Sequence, residues 1–121
     1  FAILERLAKD VNTDYGAEAA YMLILDSYDK GEFEDVETKV YAFADAGSNQ
    51  TYWLAKSFIV LGDSFVERGD NEQAKATFES VRDGYSPDGD ADDVADNVTM
   101  RLKKLEELMN EQTNENADET L

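Results

Sequence analysis

Asp88-Gly89-Asp90-Ala91-Asp92-Asp93 sets carboxylates at alternating positions, as the opening of a calcium-binding loop does. An EF-hand loop also needs glycine at its sixth place and a bidentate glutamate at its twelfth, where this chain has Asp93 and Thr99. Acids at the start of a helix cap free N–H groups and complement the helix dipole without any ion, and that is the role expected of them. A second acidic stretch, Asp26 to Glu37, carries six acids and one Lys. Paired carboxylates do acid-base work only inside a cleft that raises one of their pKa values. Here the acids straddle an expected helix turn, so they read as a solvated face. The chain has no His and no Cys, which removes thiol chemistry, zinc fingers, Ser-His triads and imidazole catalysis. No catalytic residue, metal ligand or cofactor is expected, and the chain reads as a non-catalytic protein.

Twenty-eight Asp and Glu against 11 Lys and Arg give a net charge of −17. Nucleic-acid affinity depends mainly on cations displacing counterions, so a nucleic-acid partner is not expected. Charge alone leaves a second reading open: an acidic, charge-driven regulator or calcium-responsive binding module. No apolar run approaches the roughly 20 residues needed to cross a bilayer, so no membrane insertion is expected. A length of 121 residues suits one domain. Because the chain opens on Phe1 rather than Met, the expectation is a section of a longer protein, with more chain N-terminal to Phe1.

The elements that must position any binding site follow from an internal repeat. Gly31-Glu32-Phe33-Glu34-Asp35-Val36 lies over Gly69-Asp70-Asn71-Glu72-Gln73-Ala74 at an offset of 38. The same offset sets Tyr15 on Trp53, Tyr21 on Ile59, Leu23 on Leu61, Asp29-Lys30 on Glu67-Arg68, and Val40 on Phe78. Within the second copy Leu54, Phe58, Leu61 and Phe65 recur near a period of 3.6, and Ala74, Phe78 and Val81 continue it after the glycine. Gly31 and Gly69 each follow a base and precede an acid. A left-handed glycine ends a helix, a cation suits its C-terminus and an acid suits the next N-terminus. Each copy therefore predicts two antiparallel helices joined by a tight turn.

Phe1 to about Val11, with Ile3, Leu4, Leu7, Ala8 and Val11 on one face, predicts a helix already under way where the chain begins. Asn12-Thr13-Asp14 supplies capping chemistry for the next helix. Gly84 to Gly89, with Pro87, is the clearest break. Beyond it a helix over 90–108 carries Val94, Val98, Leu102, Leu105 and Leu108 as a single stripe. Residues 109–121 are rich in acids and poor in apolar side chains, and are expected to form a disordered tail.

Phe58-x-x-Leu61-Gly62-x-x-Phe65, then Gly69-Asp70, Ala74-x-x-x-Phe78 and Pro87, resembles a tetratricopeptide repeat. Phe58 stands where that family usually has Trp, Val81 where it has a small residue, and Pro87 is one place late. The first copy is more degenerate, with Ile24 in the place of Gly62 and Ser27 in the place of Phe65. Tyr52 to Phe58 together with Gln73 to Ser80 resembles the final repeats of long tetratricopeptide proteins of Gram-negative bacteria. The resemblance spans roughly residues 15 to 108. It implies an all-α, right-handed α-solenoid of antiparallel helix pairs: residues 1–11 as the remnant of a preceding repeat, 15–48 and 52–87 as two repeats, and 90–108 as a C-terminal cap. It also implies a periplasmic or cell-envelope scaffold for protein-protein interaction.

In that family the first helix of each pair lines a concave groove that holds a peptide or protein segment. Carried over position by position, the resemblance assigns the groove to Glu18, Tyr21, Leu25 and Tyr28 in the first copy and to Lys56, Ile59, Asp63 and Val66 in the second. Ordinary inter-helix packing is the competing reading for Tyr21, Ile59 and Val66. Relatives that clamp a terminal carboxylate use several Lys, Arg and Asn in this groove. Lys56 stands alone here, so that mode is not expected.

Overall fold

The computed structural model describes residues 1–119, with side chains through residue 113. It is all-α, with no strand among the described residues. Six helices follow one another among the described residues: α1 (Ala2–Leu7), α2 (Asp14–Asp29), α3 (Phe33–Asp45), α4 (Thr51–Glu67), α5 (Asn71–Gly84) and α6 (Val94–Glu119). None of them is long and apolar enough to cross a membrane.

Three boundaries differ from expectation, each for a local reason. The first helix stops at Leu7 rather than Val11, because Asp10 draws the chain into a turn. Its side chain accepts from the Asn12 N–H at 3.1 Å, and its carbonyl accepts from the Thr13 hydroxyl at 2.9 Å. Thr13 then caps α2 by accepting from the Gly16 N–H at 3.0 Å. The last helix starts at Val94 rather than residue 90, where Asp92 accepts from the Val94 N–H at 3.0 Å. That helix also continues past Leu108 to Glu119, across most of the expected tail. Met109 packs against the core and extends the helix by a turn, with the Thr113 hydroxyl donating back to its carbonyl at 3.0 Å. Residues 120–121 of the expected tail lie outside the described residues.

The turns after α2 and α4 are alike bond for bond. Gly31 has φ +75° and donates to the Tyr28 carbonyl at 2.9 Å, while Glu32 donates to Ser27 at 2.9 Å. Gly69 has φ +77° and donates to the Val66 carbonyl at 3.0 Å, while Asp70 donates to Phe65 at 2.9 Å. A left-handed residue with this nested pair of bonds satisfies carbonyls that the helix end would leave bare, and glycine takes that conformation without strain.

Packing follows the same spacing. One apolar cluster runs from Ala17 on α2 through Val36, Leu61 and Phe78 to Val98 and Leu105 on α6. At the α4–α5 crossing Gly62 is buried, and a methyl group there would sit 2.3 Å from the Phe78 ring. The glycine thus lets a fully buried phenyl lie against the helix backbone. In the first copy the matching positions hold Ile24 and Val40, both buried, so volume moves from one helix to the other. The exchange of Ser27 and Phe43 for Phe65 and Val81 follows the same logic. Cores accept such redistribution as long as total volume is kept.

Helix α4 is the hub: it packs on α2, α3, α5 and α6, whereas among the described residues none of α1, α2 and α3 packs on α5 or α6. Long-range hydrogen bonds cluster at sequence separations of 37 to 41 residues, close to the repeat offset. They include the Ser48 hydroxyl to the Val11 carbonyl, Asn49 N–H to Asn12 Oδ1 at 3.2 Å, and Trp53 Nε1 to Asp14 Oδ1 at 2.9 Å.

Candidate functional site

Five of the eight residues assigned to the groove fall into two clusters beside α4. In the first, Tyr21 stands 5.5 Å from Trp53, ring centroid to centroid, and Trp53 meets Tyr52 edge-on at 5.0 Å. Beside them Lys56 Nζ donates to Asp93 Oδ2 at 2.7 Å, and the Tyr52 hydroxyl donates to Asp93 Oδ1 at 2.8 Å. These bonds, the one from Lys56 foremost, hold the Asp93 carboxyl below its ordinary range. Burial alone would lower the Lys56 ammonium; the bond to Asp93 and the neighbouring Tyr52 outweigh it, and its pKa is raised. Lys56 is therefore engaged by the chain's own carboxylate.

The second cluster is a cleft of about 430 Å³ where α2, α4 and α6 face one another. Tyr28, Asp63 and Val66 from the expected set line it, joined by Phe78, Leu105 and Leu108 as apolar surface. Across it Arg101 grips Asp63 with a two-pronged bond, Nε to Oδ1 at 2.8 Å and Nη2 to Oδ2 at 3.1 Å. The third guanidinium nitrogen of Arg101 bonds Asn97, at 3.1 Å to the side chain and 3.2 Å to the carbonyl. Bidentate geometry of this kind fixes orientation as well as charge. The Tyr28 phenol is raised in pKa first by burial, then by the nearby charges of Asp63 and Glu67.

The remaining expected residues divide. Glu18 and Leu25 are half-buried on α2, and Leu25 packs against the core. Ile59 is only 4% exposed and belongs to the core, so its side chain offers no surface to a partner. Packing, the competing reading at that position, accounts for its burial within the continuous apolar cluster.

Arg101 and Lys104, on the helix expected only to cap the stack, complete the cleft. The signal was present: Leu25, Asp63 and Arg101 are 38 residues apart in succession, as are Tyr28, Val66 and Lys104. In the acidic loop one carboxylate, Asp92, takes the helix-start role expected of the acids there. Asp92 accepts from the Tyr85 hydroxyl and from the Val94 N–H, while Asp93 turns to Tyr52 and Lys56. Burial first, then the bond to Asp92, pushes the Tyr85 phenol well above its ordinary pKa. Among the described residues no group of three or more carboxylates is placed to hold a metal ion. No family model, curated protein or solved structure matches the chain.

Proposed function

We propose that the chain is a non-catalytic interaction scaffold of the tetratricopeptide kind, a right-handed α-solenoid of antiparallel helix pairs that binds a peptide or protein segment along α2, α4 and α6. In this reading α1 is the second helix of a preceding repeat, and α6 begins the next layer and closes the stack. The observation that carries the proposal is the recurrence, at an offset of 38, of the same left-handed glycine turn with the same two backbone bonds. Hydrogen bonds between positions about one repeat apart add support, as does the close approach of Phe78 to Gly62. A repeat stack leaves one row of helices facing outward in common, and a row of this kind is a binding surface.

The periplasmic or cell-envelope setting rests on the sequence resemblance alone, and fractionation of cells producing the full-length protein tests it. Function is tested by crosslinking capture of a partner with the full-length protein, comparing wild type with Tyr28→Ala and Val66→Glu. Loss of one specific partner in both variants, with the helical circular-dichroism spectrum intact, is the expected result. Capture that ignores both changes but vanishes near ~0.5 M salt, where exposed charges are strongly screened, would instead favour an acidic charge-driven regulator.

A further inference from the structure

We propose that the cleft between α2, α4 and α6 receives a partner segment whose aliphatic side chain is flanked by Lys or Arg. This deepens the scaffold reading and rests on it. The cleft has an apolar floor, and at its edge Leu108 stands 37% exposed on a helix whose outer faces are polar. Its volume, about 430 Å³, lies within the range of roughly 300–1,000 Å³ typical of pockets that enclose a ligand group.

The rim decides the charge of the occupant. Four carboxylates, Asp63, Glu67, Glu107 and Glu111, line the cleft against two cations, Arg101 and Lys104, an excess of two negative charges. Asp63 and Arg101 already neutralise each other through their two-pronged bond, and Asn97 takes up the rest of the guanidinium. Lys104 is then the remaining cation of the lining, which it shares with Glu67, Glu107 and Glu111. A carboxylate or phosphate entering here would meet mostly like charge, whereas an ammonium or guanidinium would find acceptors beside an apolar anchor point. The net charge of −17 acts in the same sense at long range, drawing cationic segments toward the molecule. Long cationic side chains also carry apolar stems that suit such a surface.

The test uses three fluorescein-labelled synthetic helical peptides and fluorescence anisotropy at near-physiological salt. One carries two Leu at i and i+4 flanked by Lys, one has the same Leu flanked by Glu, and one keeps the Lys with Ala in place of Leu. Protein variants are Leu108→Glu, the pair Glu107→Lys and Glu111→Lys, and a control pair, Asp88→Lys and Asp90→Lys, with the same change in net charge. The control pair sits in the exposed loop before α6, about 20 Å along that helix from Leu108. The Lys–Leu peptide is expected to bind best. Leu108→Glu and the Glu107/Glu111 pair should each weaken it about tenfold or more, and the control pair less than about threefold, the contrast between a desolvated anchor and diffuse charge. Equal weakening by both charge pairs, or tight binding of the Lys–Ala peptide, would overturn the proposal in favour of unspecific attraction. A Glu–Leu peptide that binds best and is lost in Leu108→Glu would overturn the choice of cation while leaving the groove reading standing. Indifference of every peptide to Leu108→Glu would sink both.

Discussion

Replacing Gly62 with alanine sets two opposing effects against each other, and the structure decides the winner. Alanine is the better helix former by about 1 kcal/mol in a helix interior. Its methyl carbon, however, would lie 2.3 Å from Phe78 Cε1 and 2.7 Å from Cζ, where carbon atoms prefer about 3.5–4.0 Å. Phe78 is 1% exposed, so its rigid ring has nowhere to retreat. A contact this short puts the overpacking cost in the upper part of the usual range, about 2–3 kcal/mol, leaving a net loss of roughly 1–2 kcal/mol. The first copy shows how to relieve it, because Ile24 and Val40 fill the equivalent places. Gly62→Ile alone should cost about 3 kcal/mol or more, and Phe78→Val alone about 2–3 kcal/mol through the cavity it leaves. Together they should cost well below the sum, with a favourable coupling of about 2 kcal/mol. Urea denaturation followed by helical circular dichroism measures all four states. A Gly62→Ala protein as stable as wild type, or additivity of the pair within about 0.5 kcal/mol, would refute the argument that the two positions share one volume.

Five further substitutions test other parts of the structure. Ser64 is fully buried and its hydroxyl makes no hydrogen bond among the described residues; Ser64→Ala should therefore raise stability by about 1 kcal/mol, and a lower thermal midpoint would contradict this. Ser57, equally buried, donates to the Trp53 carbonyl at 2.8 Å, so its alanine variant should gain less. Gly31→Ala and Gly69→Ala meet no atom within 4 Å and differ from wild type only in backbone strain; each should lose about 1 kcal/mol, alike within a few tenths, and clearly unequal losses in urea would break the equivalence of the two turns. Asp93 has a depressed pKa in the folded protein, so its contribution is present above the unfolded value of about 3.9 and fades as pH falls through the lower folded value. Asp93→Asn should cost about 0.5–1 kcal/mol at pH 7 for this half-exposed pair, and the gap to wild type should close below about pH 4; a gap that stays constant to pH 3 would show that the ion pair carries no such dependence.

Much of the helical framework was legible because it depends on neighbours in the chain. Leu54, Phe58, Leu61 and Phe65 announce α4 by spacing alone, and Gly31 and Gly69 mark turns whose bonds close within six residues. The end of α1 was not legible: apolar spacing runs on to Val11, while the side chain and carbonyl of Asp10 compete for the same backbone and win. Leu108 and Met109 both continue the α6 stripe, at steps of three and four from Leu105, and only tertiary contact selects Met109 for the core. The candidate site was less legible than the fold. Tyr28, Asp63 and Val66 line one cleft, while Ile59 lies in the core. That Lys56 belongs to Asp93, and that Arg101 crosses to Asp63, depends on how α6 and the residues just before it lie against α4. Such pairings are invisible to any window shorter than the repeat itself.

Because none of the first three helices packs on either of the last two, everything the two ends have in common passes through α4. Loosening α1 leaves the bonds around Arg101 untouched, and fraying at the far end of α6 leaves Trp53 where it is. A kink midway along α4, in contrast, would divide the protein into halves with almost no grip on each other. Amide protons near Leu61 should be the last to trade with deuterium, and those of Ala2 to Leu7 among the first, so that the molecule comes undone from its ends toward its middle.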